Sequence, residues 1–274
     1  MMCQWESVCS ILPTWLRKDV DELGRESLQE LRLRINAPPE LNFGTRRKWL
    51  TRPVMKEDIL FCINTASRYS PWSSSSISQG YLTVSGGHRI GLCGECICKE
   101  ESVSSIREVS SLNIRIARDF PGIADAIVAK ESLLILGAPG WGKTTLLRDL
   151  SRKISQNETV SVVDQRGEVF PEGMTTGKSM DILSGCGKAE GVRMLLRSMG
   201  PQWIVLDEIT APEDMEAVIE AQGCGVKLLA TAHASSIQDL HRRPAYRRLL
   251  EHSIFQSFVV LRPDRSYRTE RMTL

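Results

Sequence analysis

From Ser132 onward the chain repeats one texture: a short, unbroken apolar run, a stretch of helical spacing, then another run. The runs are SLLILG (132–137), TVSVVD (159–164), QWIVLDE (202–208), VKLLATAH (226–233) and FQSFVVLR (255–262). A strand wetted on one face alternates apolar and polar residues, whereas a strand covered on both faces reads as a continuous apolar run. Helical stretches lie between most of the runs, at 143–155, 188–199, 212–222 and 237–251. Parallel neighbours need a long crossover, usually a helix, so this alternation predicts a mostly parallel sheet clothed by helices.

Between the first run and the first helix stands GAPGWGKTT, residues 137–145. It carries the G-x-x-x-x-G-K-[ST] spacing in the strand–loop–helix setting that spacing requires. Gly137, Ala138, Pro139, Gly140, Trp141 and Gly142 would wrap phosphates closely enough for backbone N–H groups to point at their oxygens, at the positive end of a helix. Lys143 would reach the β and γ phosphates, the Thr144 hydroxyl would bind Mg²⁺, and Thr145 ends the nucleotide-binding stretch. The competing reading is a glycine-rich turn with a solvated lysine. A chance match in a chain this long is about 1 in 100 from average residue frequencies, and the setting favours ATP.

A partner acid should close a neighbouring buried strand, and WIVLDEIT supplies Asp207 and Glu208. Asp207 is suited to the magnesium shell and Glu208 to orienting the attacking water. An acidic helix cap after a strand is the plainer alternative. Two further strand ends carry polar groups. SVVDQRGEV places Asp164 and Glu168 after the second run, beside the phosphate loop, and LATAHASS places His233 after the fourth. Ligands of open α/β sheets sit at such carboxyl ends. His233 could sense a γ-phosphate, although each of these residues taken alone reads more readily as structural.

The first ~115 residues differ, with strand, helix and hairpin signals that suggest a small α+β unit. LQELRLRI (28–35) alternates as a half-buried strand, LNFGTRRKWL returns as a hairpin, and KEDILFCINTAS (56–67) has helical spacing. PWSSSSISQG (71–80) is a serine-rich loop, and strands are expected at 81–85 and 89–98 around a Gly-Gly turn. SLNIRIARDFPGIADAIVAK then reads as a strand, a Pro-Gly corner and a short helix. CGECIC brings Cys93, Cys96 and Cys98 together with His88 as a nearby fourth metal ligand, but no second Cys-x-x-Cys pair follows. Buried or half-buried thiols on a strand are the favoured reading. The net charge of +2 gives no compositional support for a nucleic-acid binder, though HRRPAYRRLL and GTRRKW are locally basic. MMCQWESVCS lacks the features of a signal peptide and no stretch approaches the roughly 20 apolar residues of a membrane span, so the chain reads as cytoplasmic.

In order and spacing the phosphate loop, the DQRGE box, the Asp207–Glu208 strand end and the Thr231–His233 box resemble the secretion-superfamily ATPases. That resemblance implies a RecA-like P-loop NTPase domain at 132–274, preceded by a small α+β domain at 1–118 and a linker with a short helix at 119–131. It implies ATP and Mg²⁺ as ligands and a hexameric ring. The family's intersubunit arginines are expected near the domain junction, where Arg107 and Arg115 are the candidates; the plainer reading is two surface arginines. LQELRLRINAPPEL, GYLTVSGGHRIGLCGE and MLLRSMGPQWIVLDEIT carry a narrower resemblance, to a sporulation family of endospore-forming bacteria. It implies a cytosolic ATPase, peripheral at the membrane, that serves a membrane-embedded channel through its partners. The rivals are a nucleic-acid-dependent RecA-like ATPase and a scaffold that binds ATP without useful turnover.

Overall fold

In the computed structural model, which describes residues 3–67, 80–99 and 102–272, the chain forms two compact units. One comprises residues 1–119 with 171–174, the other residues 120–170 with 175–274. The expected serine-rich loop at 71–80 lies, except for Gly80, outside the described residues.

The first unit opens with two helices not anticipated from the sequence, α1 (Trp5–Ser10) and α2 (Thr14–Gly24). Leu16, Val20 and Gly24 recur every four residues and give α2 its buried stripe. An antiparallel sheet follows, with strands β1 (Glu30–Arg34), β2 (Glu40–Asn42), β3 (Arg47–Trp49), β4 (Tyr81–Val84), β5 (His88–Lys99) and β6 (Ser102–Arg115), in the order β3-β2-β1-β6-β5-β4. Helix α3 (Lys56–Ala66) packs against it, and its first turn is closed by Asp58, whose Oδ2 accepts the Met55 N–H at 2.8 Å. On β1, Leu31 and Leu33 enter the core, while Arg32 and Arg34 pair with Glu30 and Glu40. That is the alternation the sequence shows.

Gly86 and Gly87, both at positive φ, turn β4 into β5, and His88 follows inside the core. The Ala117 N–H donates to its Nδ1 at 3.0 Å, and its Nε2 lies 3.1 Å from the Gln4 carbonyl. A backbone N–H only donates and a carbonyl only accepts, so the ring is neutral with its proton on Nε2. Burial pushes its pKa down, the Gln4 bond opposes this, and Arg118 adds to the lowering. The unfolded chain therefore takes up a proton where the folded one does not, and stability complete above about pH 6.5 is lost as pH falls through that value toward the depressed one. His88→Gln keeps a donor and an acceptor without the charge. Its melting temperature should change less than the parent's between neutral and mildly acidic buffer, measured by circular dichroism.

Beyond Leu92, whose N–H donates to the Gly80 carbonyl at 2.8 Å, β5 pairs among the described residues with β6 alone. Cys93, Cys96 and Cys98 lie there as exposed thiols, not the buried or half-buried ones expected.

The described residues of the second unit form seven strands: β7 (Leu133–Leu136), β8 (Val160–Asp164), β9 (Met180–Ser184), β10 (Trp203–Leu206), β11 (Lys227–Ala232), β12 (Ser257–Leu261) and β13 (Tyr267–Arg271). Their order is β13-β12-β7-β11-β10-β8-β9, parallel throughout except for β13. Helices α4 (Lys143–Ile154), α5 (Lys188–Ser198), α6 (Pro212–Gly223), α7 (Ile237–Arg242) and α8 (Pro244–Glu251) cover both faces. Leu134, Leu136, Ile204, Leu206 and Leu228 pack with Val192 of α5, Val218 of α6 and Leu249 of α8. Their strand neighbours Leu133, Ile135, Trp203, Val205 and Leu229 pack with Leu146, Leu147 and Leu150 of α4. Burial on both faces is why these strands show no alternation in sequence.

Three expectations need correction. The helix expected over 237–251 is two helices, because Arg243 precedes Pro244 and takes extended backbone at φ −93°, ψ 113°. No helix forms between Phe120 and Lys130: Lys153 Nζ takes the carbonyls of Ala124, Asp125 and Ile127, and the Ala124 N–H donates to Asp149 Oδ2. The strand bearing Asp164 is not beside the phosphate-loop strand, since β11 and β10 stand between β8 and β7.

Candidate active site

The loop leaving β7 turns through Gly140 and Gly142, at φ 79° and 98°. An added Cβ at either would touch nothing within 4 Å, so glycine is needed there for backbone conformation and not for room. The Trp141 N–H donates to the Ala138 carbonyl at 3.3 Å, which closes the turn, and α4 begins at Lys143. Lys143 folds back over the loop, Nζ to the Ala138 carbonyl at 3.2 Å, and is only 7% exposed. Burial pushes its pKa down, and the carboxylates of Glu208 and Asp207 pull it back up. A largely buried ammonium bonded to one backbone carbonyl is under-satisfied and suited to an anion.

Asp207, just past β10, joins the motifs. Its Oδ2 accepts from the Thr144 hydroxyl at 3.1 Å, and its Oδ1 accepts from the Thr231 hydroxyl at 3.0 Å and from the Glu208 N–H at 3.0 Å. The strand between β7 and β10 is β11, so Thr231 reaches Asp207 from the strand beside it; its hydroxyl also accepts the Glu208 N–H at 2.9 Å. Glu208 sits at φ 29°, a conformation costly for a residue with a Cβ. Its Oε1 lies 3.0 Å from Nδ1 of His233, which follows β11. Thr144, Asp207, Glu208, Thr231 and His233 thus form one chain of contacts, and Lys143 feels the charge of both carboxylates. The Tyr246 hydroxyl of α8 donates to the Ile209 carbonyl at 2.8 Å and holds the segment after Glu208.

Asp164 has a different duty. Its two carboxylate oxygens accept the N–H groups of Glu168 (2.9 Å), Val169 (3.0 Å) and Phe170 (2.8 Å), and it is buried. That arrangement holds the turn after β8 and leaves Asp164 little capacity for chemistry. Glu168 lines a pocket of about 210 Å³ with Asp207, Glu208, Lys188, Thr210, Gln165 and Arg166. Sequence reasoning passed over Arg166 and Lys188; the signal available was the cation inside DQRGE. Arg107 and Arg115 both lie on β6 of the first unit, where Arg107 pairs with Glu95 at 2.7 Å and Arg115 with Glu30 at 3.7 Å.

The family model described as sporulation stage III, protein AA, matches residues 2–269 of the chain. The chain belongs to that family. Stage III sporulation protein AA of Bacillus subtilis (strain 168) is 35% identical over 276 residues, covering 93% of this chain and 90% of the relative. Among solved structures the chain is similar to the ATPase DotB of Legionella pneumophila, with a TM-score of 0.65 at 18% identity over 94% of this chain and 79% of that one. It is also similar to the pilus retraction motor PilT, solved with bound ADP, with a TM-score of 0.64 at 18% identity over 90% of this chain and 77% of that one. At such identity the likeness carries the fold, which is the RecA-like α/β fold of secretion ATPases expected from the sequence. This member of the stage III sporulation protein AA family has, among the described residues, no helix long and apolar enough to cross a membrane.

Proposed function

We propose that the chain is an ATP-hydrolysing motor of the secretion-ATPase type that energises a membrane channel or secretion complex during endospore formation. One observation carries this reading: the Thr144 hydroxyl of the phosphate loop meets Asp207, beside Glu208, at 3.1 Å. Residues Gly137 to Thr145 bind the phosphates, and Lys143 supplies their cation. Magnesium fits the donor set, because a hydroxyl and a carboxylate are hard oxygen ligands brought together at one point. When bound with the nucleotide it neutralises charge on the β and γ oxygens. Glu208 orients the attacking water and His233 hydrogen-bonds the γ-phosphate, with Glu168 the alternative acid. The residues at 1–118 act as a small α+β domain, 119–131 as the link and 132–274 as the ATPase domain.

Hydrolysis in this reading needs assembly into a ring, taken as hexameric, in which Arg107 or Arg115 of a neighbouring subunit faces the γ-phosphate. Both guanidinium groups are exposed, and the Arg107–Glu95 pair, exposed on both sides, costs little to exchange. An arginine supplied across an interface raises turnover by about 10³–10⁵-fold. Activity per subunit should therefore climb with protein concentration. Mixing an Arg107→Ala, Arg115→Ala chain with a Lys143→Ala chain should restore some turnover at the shared interface. Flat specific activity with no rescue would leave the site complete within one subunit. Single-stranded DNA and RNA are added in the same assay, and strong stimulation by either would favour a nucleic-acid-dependent ATPase. The partners in this reading are membrane-embedded sporulation channel proteins, which hold a cytoplasmic ring at the membrane periphery.

A further inference from the structure

The pocket shared by the β10 acids and the turn after β8 holds a cation that the reading above does not use. Strands β8 and β10 are parallel neighbours with Val163 opposite Leu206, so the turn beginning at Asp164 rises beside Asp207 and Glu208. That turn is well fixed. Asp164 accepts the N–H groups of Glu168, Val169 and Phe170, and its carbonyl accepts the Gly167 N–H at 3.2 Å. From α4, the Arg148 guanidinium donates to the carbonyls of Glu168 (2.9 Å) and Val169. Arg166 rides on this anchored turn and lines the pocket with Glu168, Asp207 and Glu208.

Carboxylates dominate the pocket, yet the group it would face in hydrolysis is itself an anion gaining charge. Lys143 meets the phosphates from their own loop, so a cation beside these acids is a further one, and the other lysine close by is engaged. Lys188 lies 3.8 Å from Asp214, with both side chains largely buried, and Lys143 is held over the phosphate loop. Among the described residues Arg166 makes no hydrogen bond or ion pair and is exposed. A guanidinium keeps its charge at any working pH and offers a planar fork to two oxygens of one phosphoryl group.

We propose that Arg166 is a catalytic residue of ATP hydrolysis, acting within the chain that binds the nucleotide by neutralising the charge on the transferred phosphoryl oxygens. The assignment rests on the ATPase reading. In the step itself the water oxygen bonds to the γ-phosphorus while the bond from that phosphorus to the bridging oxygen breaks. The bonding pair leaves with ADP, the water proton passes to the Glu208 carboxylate and then to the phosphate product, and Arg166 stays protonated throughout. No further reactant is required.

The test compares the parent with Arg166→Ala and Arg166→Lys, measuring kcat, the Kd for ATP by calorimetry, and rescue by low concentrations of guanidinium ion. In Arg166→Ala kcat should fall by about 10³-fold with ATP affinity held within about threefold, as expected of a contact made only in the transition state. Arg166→Lys keeps a charge without the fork and should lie between the two. Guanidinium should restore part of the activity of Arg166→Ala and none of that of Glu208→Gln, a signature that a merely structural role would not give. A kcat for Arg166→Ala within about tenfold of the parent, ATP affinity falling in step with kcat, or the absence of rescue would each overturn the assignment. Failure of the underlying reading looks different. A parent that turns over no ATP overturns both, whereas a parent silenced by Lys143→Ala but indifferent to Arg166→Ala overturns this assignment alone.

Discussion

Replacing Lys143 with alanine is expected to remove ATP binding. The ammonium is held over the loop by a single carbonyl, and it is the loop's only charged group. Charge-assisted contacts to phosphate oxygens are worth ~1.5–3 kcal/mol each, so losing two weakens binding by about 10²–10⁴-fold. Calorimetric titration with a non-hydrolysable ATP analogue measures this directly. Burial disfavours the charged form of Lys143, so the nucleotide-free variant should melt no lower than the parent, which separates lost binding from lost folding. Affinity within tenfold of the parent would remove the phosphate-loop assignment.

Glu208→Gln is expected to separate binding from chemistry. Glutamine keeps the size of the side chain and a hydrogen bond to His233, now 3.0 Å away, but has no charge with which to take a proton from water. General-base contributions of this kind are typically about 10²–10⁴-fold, so turnover should fall by that amount while ATP still binds. Trapped ATP should also hold the ring together, visible as a larger native mass in the presence of ATP and Mg²⁺. Turnover at the parent's rate would move the acid to Glu168. Asp164 is the poorer successor, because three backbone N–H groups already occupy its oxygens.

The places of those two residues in the fold were legible in the sequence because spacing alone locates them: Lys143 by the glycines before it, Glu208 by the apolar run that it follows. The central strands were legible for a related reason, since burial on both faces leaves an unbroken apolar signature. Edge strands leave none. Tyr267–Arg271 and Met180–Ser184 are half-exposed, and their pairing depends on a neighbour far away in sequence, so neither was expected. Pro244 does announce the break between α7 and α8, and was outweighed by the apolar spacing on either side of it. The short helix expected near 119–131 failed through Lys153, whose claim on three carbonyls appears only once α4 is in place. In the site, the duties of Asp164 and Thr231 were hidden for the same reason. One depends on N–H groups that face inward after the turn forms, the other on β11 lying between β7 and β10.

The order of the strands governs when the site can exist. The loop at 137–145, the acids at 207–208 and the pair at 231–233 are far apart along the chain, and β11, late in the sequence, must slot between two strands made before it. Such pairing is non-local and slow compared with helix formation. On the ribosome, a nascent chain that has emerged only as far as β10 has its lysine and its acids but not the strand that sets them side by side. Nucleotide affinity should therefore arrive late in synthesis and all at once. Because a ligand stabilises only the state that binds it, ATP would then support the second unit as a whole and not merely its loop.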